Sequence, residues 1–234
     1  YSSAASDVYK RQEGDFMNFD ITVIERFWQL LLSGVPVILG LSLASAFFGT
    51  LIGLATVFLR RMNKVFNLIV AAYIDLFRGT PVYVQMFFIY FGIPSLVPGL
   101  NINNWVAGIL VFSLNSGAYM SEIMRAGIDG IDKGQIEAAK ALGVSGKDIG
   151  KDIIIPQAFR NVLPAVINEF ITLTKETSIV SVIGLHDMMY WFYAVKNQTY
   201  ADFEPLLIVF LVYYIMNKVL SLIGKAIERK LKYD

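Results

Sequence analysis

Several residues whose chemistry is out of place in an apolar chain pose the first question. Asp75, Arg78, Asn115, Tyr119, Glu122, Glu169, Lys175 and Glu176 all stand in or beside long apolar runs. An ion held at the centre of a bilayer costs roughly 2.5 to 3.5 kcal/mol on insertion scales, so such groups avoid lipid. Asn115, Tyr119 and Glu122 are spaced by four and three and share one helical face, expected to point into a bundle. Asn168, Thr172 and Lys175 share one face of a later helix, while Glu169, Thr172 and Glu176 share another, about 100° away. Either these groups pair across helices, or they line a water-filled path that meets a charged solute. Their number in one bundle favours the path. Acid–base catalysis by Asp75, Glu169 or His186 is the competing chemistry, and it finds little support. The chain has no Cys and one His, which excludes a thiol nucleophile, a disulfide frame and a multi-histidine metal centre. His186 precedes Asp187, but no recognisable nucleophile accompanies the pair. GxxxxGK[ST] is absent, so this sequence carries no nucleotide-binding loop of that type.

The elements that must position these groups follow from composition. Of 234 residues 56% are hydrophobic and 17% charged, which indicates one integral membrane domain. The expected fold is all-α with five transmembrane helices, over about 36–59, 65–97 (broken near 79–81), 105–124, 161–184 and 205–222. Roughly 20 helical residues cross a bilayer. At Arg78-Gly79-Thr80-Pro81 the proline lacks a backbone donor and the glycine loosens the turn, so the second span breaks there. Arg78 sits near the freed carbonyls, where a cation stabilises the break or serves a gate; Asp75 is placed to pair with it at i,i+3. Ser45, Gly49 and Gly53 form a row of small residues suited to helix packing within the bundle or to a subunit contact. Asp20 to Leu32 reads as an amphipathic helix at the membrane interface. Residues 1–16 are expected to be a disordered or non-native extension, leaving 17–234 as a single transmembrane domain. Arg60, Arg61 and Lys64, then Arg125 to Arg160, then Lys225 to Lys232 mark cytoplasmic ends, which puts the N-terminus outside and the C-terminus inside.

Gly134 to Pro156, GQIEAAKALGVSGKDIGKDIIIP, is the sizeable polar interruption among the spans. It reads as helix, turn, helix: Glu137 in a first turn, Gly143 in the left-handed conformation that ends a helix, Ser145 and Asp148 at capping-box spacing, and Pro156 stopping the second helix. A DNA-binding helix-turn-helix has a similar pattern, but Asp148 and Asp152 would then face phosphates and apolar spans flank it on both sides.

Glu137-Ala138-Ala139, Gly143, Ile153 and Pro156 resemble the EAA loop, E-A-A-x3-G-x9-I-x-L-P, by which permease subunits of bacterial ABC importers touch their ATPase. Ile155 stands where that family usually has Leu. Segments FRGTPVYVQMFFIYFG, LNSGAYMSEIMRAGI, NEFITLTKETSIVSVIG and FEPLL are similar to the polar amino acid permeases of the family, and the similarity covers most of Asp75 to Leu207. The resemblance implies a type I importer in the bacterial inner membrane, with two permease subunits, two cytoplasmic ATPases that bind ATP and Mg, and an extracytoplasmic solute-binding protein; this chain needs no cofactor. Glu137, Ala138, Ala139, Leu142 and Gly143 would dock the ATPase. Glu169 would meet a solute ammonium, Asn115, Ser116 and Thr172 its carboxylate, and Lys175 would bind solute or hold Glu176 or Asp75. Because five helices poorly surround a hydrophilic route, a second copy or a homologous partner is expected. An ATP-independent channel or carrier is the alternative.

Overall fold

The computed structural model describes residues 19–233, so the expected extension 1–16 lies outside them. Every regular element among these residues is helical. We number them α1 (Ile21–Leu32), α2 (Val35–Met62), α3 (Lys64–Gly79), α4 (Val82–Leu96), α5 (Asn104–Asp129), α6 (Lys133–Ala141), α7 (Gly146–Ile183), α8 (Met188–Thr199) and α9 (Phe203–Tyr233). Three segments are long and apolar enough to cross a membrane by themselves, Ile21–Met62, Asn104–Asp129 and Phe203–Lys230; the bent pairs α3/α4 and α7/α8 raise the number to at most five.

The core forms along α2 and α5. Gly49 and Gly53 let their backbones approach: a Cβ placed on Gly53 would stand 2.5 Å from Met120 Cβ and 3.0 Å from the Met120 carbonyl carbon. The Ser121 hydroxyl bonds Thr56 Oγ1 at 2.7 Å in the same seam, Thr56 giving its own hydrogen to the Gly53 carbonyl (2.6 Å). The row of small residues thus packs within one bundle, as close helix approach in a membrane requires. Around the N-terminal half of α2 and its α5 partner, Leu41, Met86, Val111, Phe112, Leu173 and Val180 close the main core. Leu54, Phe58, Leu68 and Phe210 remain exposed, a band that suits lipid.

The N-terminal helix is amphipathic as expected, with Val23, Phe27 and Leu31 buried against Met188, Phe192 and Val209. Three other features depart from the reading of the sequence. The stretch after the fourth span holds a further helix, α8, begun by Asp187, whose carboxylate accepts from Tyr190 N at 2.9 Å. Glu137 falls past the first turn of α6; Asp132 caps that helix instead, accepting from Gly134 N at 2.8 Å. Pro156 does not end a helix. A π-helical stretch, Ile149–Ile154, widens the backbone just before it, so the missing donor costs no ladder bond and α7 runs on into the fourth span.

Candidate functional site

The break between α3 and α4 turns the chain by 106°. Its freed carbonyls are served by side chains. Gln85 Nε2 donates to Phe77 O (2.9 Å), Thr80 O (3.1 Å) and Thr80 Oγ1 (2.9 Å). Asn115 Nδ2 donates to Phe77 O (3.1 Å) and to Gln85 Oε1 (3.2 Å). Backbone polar groups at membrane depth must be satisfied by protein, and this buried amide pair does so. Gln85 was not expected from sequence. Its signal is a polar residue four positions after Pro81, within one turn of the carbonyls the proline leaves open.

The α5 stripe divides its work among three partners. Asn115 braces the break, the Tyr119 ring lies under the Arg78 guanidinium at 5.2 Å, and Glu122 pairs with Arg60 (3.3 Å) and Arg125 (2.8 Å). Arg78 is therefore held by an aromatic face. The expected Asp75–Arg78 ion pair does not form among the described residues.

The polar sector of α7 is arranged differently. Thr172 donates to its own Asn168 carbonyl at 3.0 Å, and Lys175 is exposed. Glu169 and Glu176 are half-buried, and within the described residues neither carboxylate nor Lys175 forms an ion pair. Ser116, fully buried, lies beside the Glu169 carboxylate, although its hydroxyl closes no hydrogen bond of good geometry. So Ser116 and Glu169 come together, with Thr172 a turn further along α7. Asn115 points about 100° away from Ser116 around α5 and is committed to the break. Lys175 holds neither Glu176 nor Asp75 in an ion pair.

His186 and Asp187 do not act as a pair. The His186 ring stacks on Tyr190 at 4.3 Å between centroids, while Asp187, in the connection between α7 and α8, is fully buried as a helix cap. Burial pushes its carboxyl up to about 6.

The polar hairpin is locked at its turn and open at its tip. Val144 N donates to Ala139 O (3.1 Å) and Gly143 N to Lys140 O (3.0 Å), the paired bonds of a Schellman termination, with Gly143 at φ +78°. Ser145 Oγ accepts from Asp148 N (3.2 Å) and donates to Asp148 Oδ2 (2.6 Å), and Gln157 Nε2 donates to Gln135 Oε1 (2.7 Å), tying α6 to α7. Ala139 turns inward, whereas Glu137, Ala138, Leu142 and Gly143 face outward. Leu142 is 84% exposed and Val144 40%. Apolar side chains held outward by a rigid, otherwise polar hairpin make an interaction knob.

Residues 30–233 match the family described as binding-protein-dependent transport system inner membrane component. The chain is 45% identical over 217 residues to the arginine transport system permease protein ArtQ of Bacillus subtilis (strain 168), covering 92% of this chain and 99% of that protein. It is 41% identical over 202 residues to a putative glutamine transport system permease protein GlnP of Rickettsia conorii, covering 86% and 92%. Among solved structures, an amino acid ABC transporter crystallised with histidines superposes with a TM-score of 0.87 at 37% identity, covering 92% of this chain and 100% of that one. The MetNI methionine ABC transporter, at 22% identity, shares the fold with a TM-score of 0.72 over 88% of this chain and 98% of its own.

Proposed function

The chain belongs to the family of binding-protein-dependent transport system inner membrane components, and from that premise we propose that it passes a polar amino acid from an extracytoplasmic receptor into the cytoplasm. It is a multi-pass membrane subunit of an ATP-driven importer. In this reading residues 17–234 form one permease domain that crosses five times, with α3/α4 as the broken second span, the N-terminus outside and the C-terminus inside. The clusters of Arg and Lys at the ends of α2, α5 and α9 support that orientation. A second permease subunit completes the path, because half-buried Glu169 and Glu176 and exposed Lys175 lack ion partners in one copy. ATP and Mg are held by the separate ATPase, and this chain uses no cofactor of its own.

One observation carries the coupling role: Leu142, 84% exposed at the tip of a hairpin fixed by a left-handed glycine. Glu137, Ala138, Ala139, Leu142 and Gly143 form the docking element, Leu142 entering an apolar groove of the ATPase and Glu137 accepting a charged hydrogen bond at its edge. When the ATPase pair closes on ATP, α6 moves with it. The bonds that tie α6 to α7 pass the displacement straight into the fourth span, because α7 is unbroken from Gly146 to Ile183. Arg78, Gly79 and Pro81, at the break in the second span, provide the bend around which the opposite wall turns.

For the solute, Glu169 receives the ammonium, supported by its missing ion partner and its place beside Ser116. Ser116 serves the carboxylate, and Thr172 joins it once its hydroxyl turns from the Asn168 carbonyl toward the solute. Asn115 contributes by holding the wall behind them, and Lys175 meets the solute at the rim. Removal of a charge-assisted hydrogen bond costs about 1.5 kcal/mol or more, so Glu169→Ala should raise the half-saturating concentration for labelled amino acid uptake about tenfold in vesicles holding the whole importer. An unchanged value removes Glu169 from the path.

A further inference from the structure

Where α2 and α5 end on the cytoplasmic side, a cavity of about 150 Å³ opens between them, lined by Val57, Arg60, Arg61, Ser121, Arg125 and Asp129, with Ile128 on the far wall. Its donors exceed its acceptors. Glu122 takes one guanidinium nitrogen of Arg60 (3.3 Å) and two of Arg125 (3.2 and 2.8 Å), and Asp129 takes the third of Arg125 (3.0 Å). Those pairs fix two guanidinium groups without satisfying them. Arg60 Nε is buried and has no acceptor. Arg61 is exposed and forms no ion pair within the described residues. Ser121 on the wall is already engaged: Thr56 gives its one hydroxyl hydrogen to the Gly53 carbonyl (2.6 Å) and takes that of Ser121 (2.7 Å). Three arginines against two carboxylates leave this cavity with net positive charge, and Arg61 supplies the guanidinium without an ionic partner, an arrangement that suits an anion with several acceptor oxygens.

The surroundings narrow its source. The site stands where the apolar run of α2 gives way to Arg60 and Arg61, the level of lipid headgroups. Val57 and Ile128 make part of its wall apolar, which suits an oxyanion that carries hydrocarbon. A free amino acid carboxylate would bring an ammonium among three arginines. We propose that this cavity binds the phosphate of an anionic phospholipid of the inner leaflet, packing lipid between α2 and α5 beside the second span. Basic pockets between transmembrane helices on the cytoplasmic side are suited to such headgroups. The importer reading enters only in assigning the leaflet.

The full chain in nanodiscs of equal phosphatidylglycerol and phosphatidylcholine, examined by native mass spectrometry, tests this. The chain should retain phosphatidylglycerol in preference. Arg61→Gln should lower the phosphatidylglycerol retained about fivefold, the worth of one basic residue near a charged surface, and Lys64→Gln, three residues on at the start of α3 and outside the cavity, should leave it unchanged. Arg61→Gln breaks no ion pair, and an unchanged unfolding temperature separates lost binding from lost folding. Equal loss in the Lys64 variant, or no preference for phosphatidylglycerol, overturns the site. If the chain binds inorganic phosphate, with Arg61→Gln abolishing it, but shows no lipid preference, the occupant is a soluble oxyanion and the lipid assignment fails. Since nanodiscs carry the lipid in both leaflets, none of these outcomes depends on coupling to an ATPase or on the direction of insertion.

Discussion

Gly143→Val is expected to cut uptake by on the order of a hundredfold while the partner ATPase continues to hydrolyse ATP, because a side chain in left-handed backbone costs roughly 1–3 kcal/mol and valine tolerates it least. A Cβ at Gly143 meets no atom within 4 Å, so the penalty is purely conformational. It falls on the one residue whose φ of +78° lets Val144 and Gly143 close the end of α6. The variant relieves the strain by unwinding that turn, which swings Leu142 out of register with its groove and loosens the tie between α6 and α7. Gly143→Asn supplies the control, since Asn visits the left-handed region readily and should keep most of the uptake. Uptake and ATP hydrolysis, measured together in vesicles containing the complete importer, check the pair. Full-rate transport by Gly143→Val would remove this hairpin from the coupling path.

What could be read beforehand divides along physical lines. Span positions were legible because hydropathy and charge bias are summed over 20 residues or so, and the break at Gly79-Thr80-Pro81 because proline deletes a donor whatever surrounds it. Gly143 was legible for the same local reason. Pro156 misled: its effect depends on whether the preceding turn can widen, and Ile149–Ile154 adopts a π-helical path that no residue type announces. The helix at Met188–Thr199 was hidden because it packs against α1 and α9, so its stability comes from distant partners more than from a strong apolar period of its own. The polar groups were recognisable as a set, but their division was not. Only the crossing of α3 over α5 decides that Asn115 serves the break, Tyr119 serves Arg78 and Glu122 serves Arg60, while Ser116, the next residue along, faces Glu169.

The brace at the break sets the other large effect. Gln85→Met keeps the volume but removes the two N–H groups shared among three acceptors and the oxygen that Asn115 uses, leaving the Thr80 carbonyl without its side-chain donor. Phe77 O keeps only the longer bond from Asn115. A buried polar group left open costs about 1–3 kcal/mol, more at membrane depth where water cannot step in, so the total should exceed about 3 kcal/mol. For a chain of this size that corresponds to a fall in unfolding temperature of roughly 6 to 12 °C, measured on the purified protein in detergent. Thr80→Val, which takes away one of the three acceptors and the hydroxyl's own bond to the exposed Leu76 carbonyl but leaves the Phe77 and Thr80 carbonyls served, should cost about 1 kcal/mol. Asn115→Leu should cost less than Gln85→Met, because the shorter bond to Phe77 O survives. The two together should cost clearly less than their sum, as members of one network do. Strict additivity would mean that the amides act separately, and an unchanged unfolding temperature for Gln85→Met would mean that the bend is held by apolar packing alone. In either case Asn115 would hold the break through Phe77 O alone, without help from Gln85.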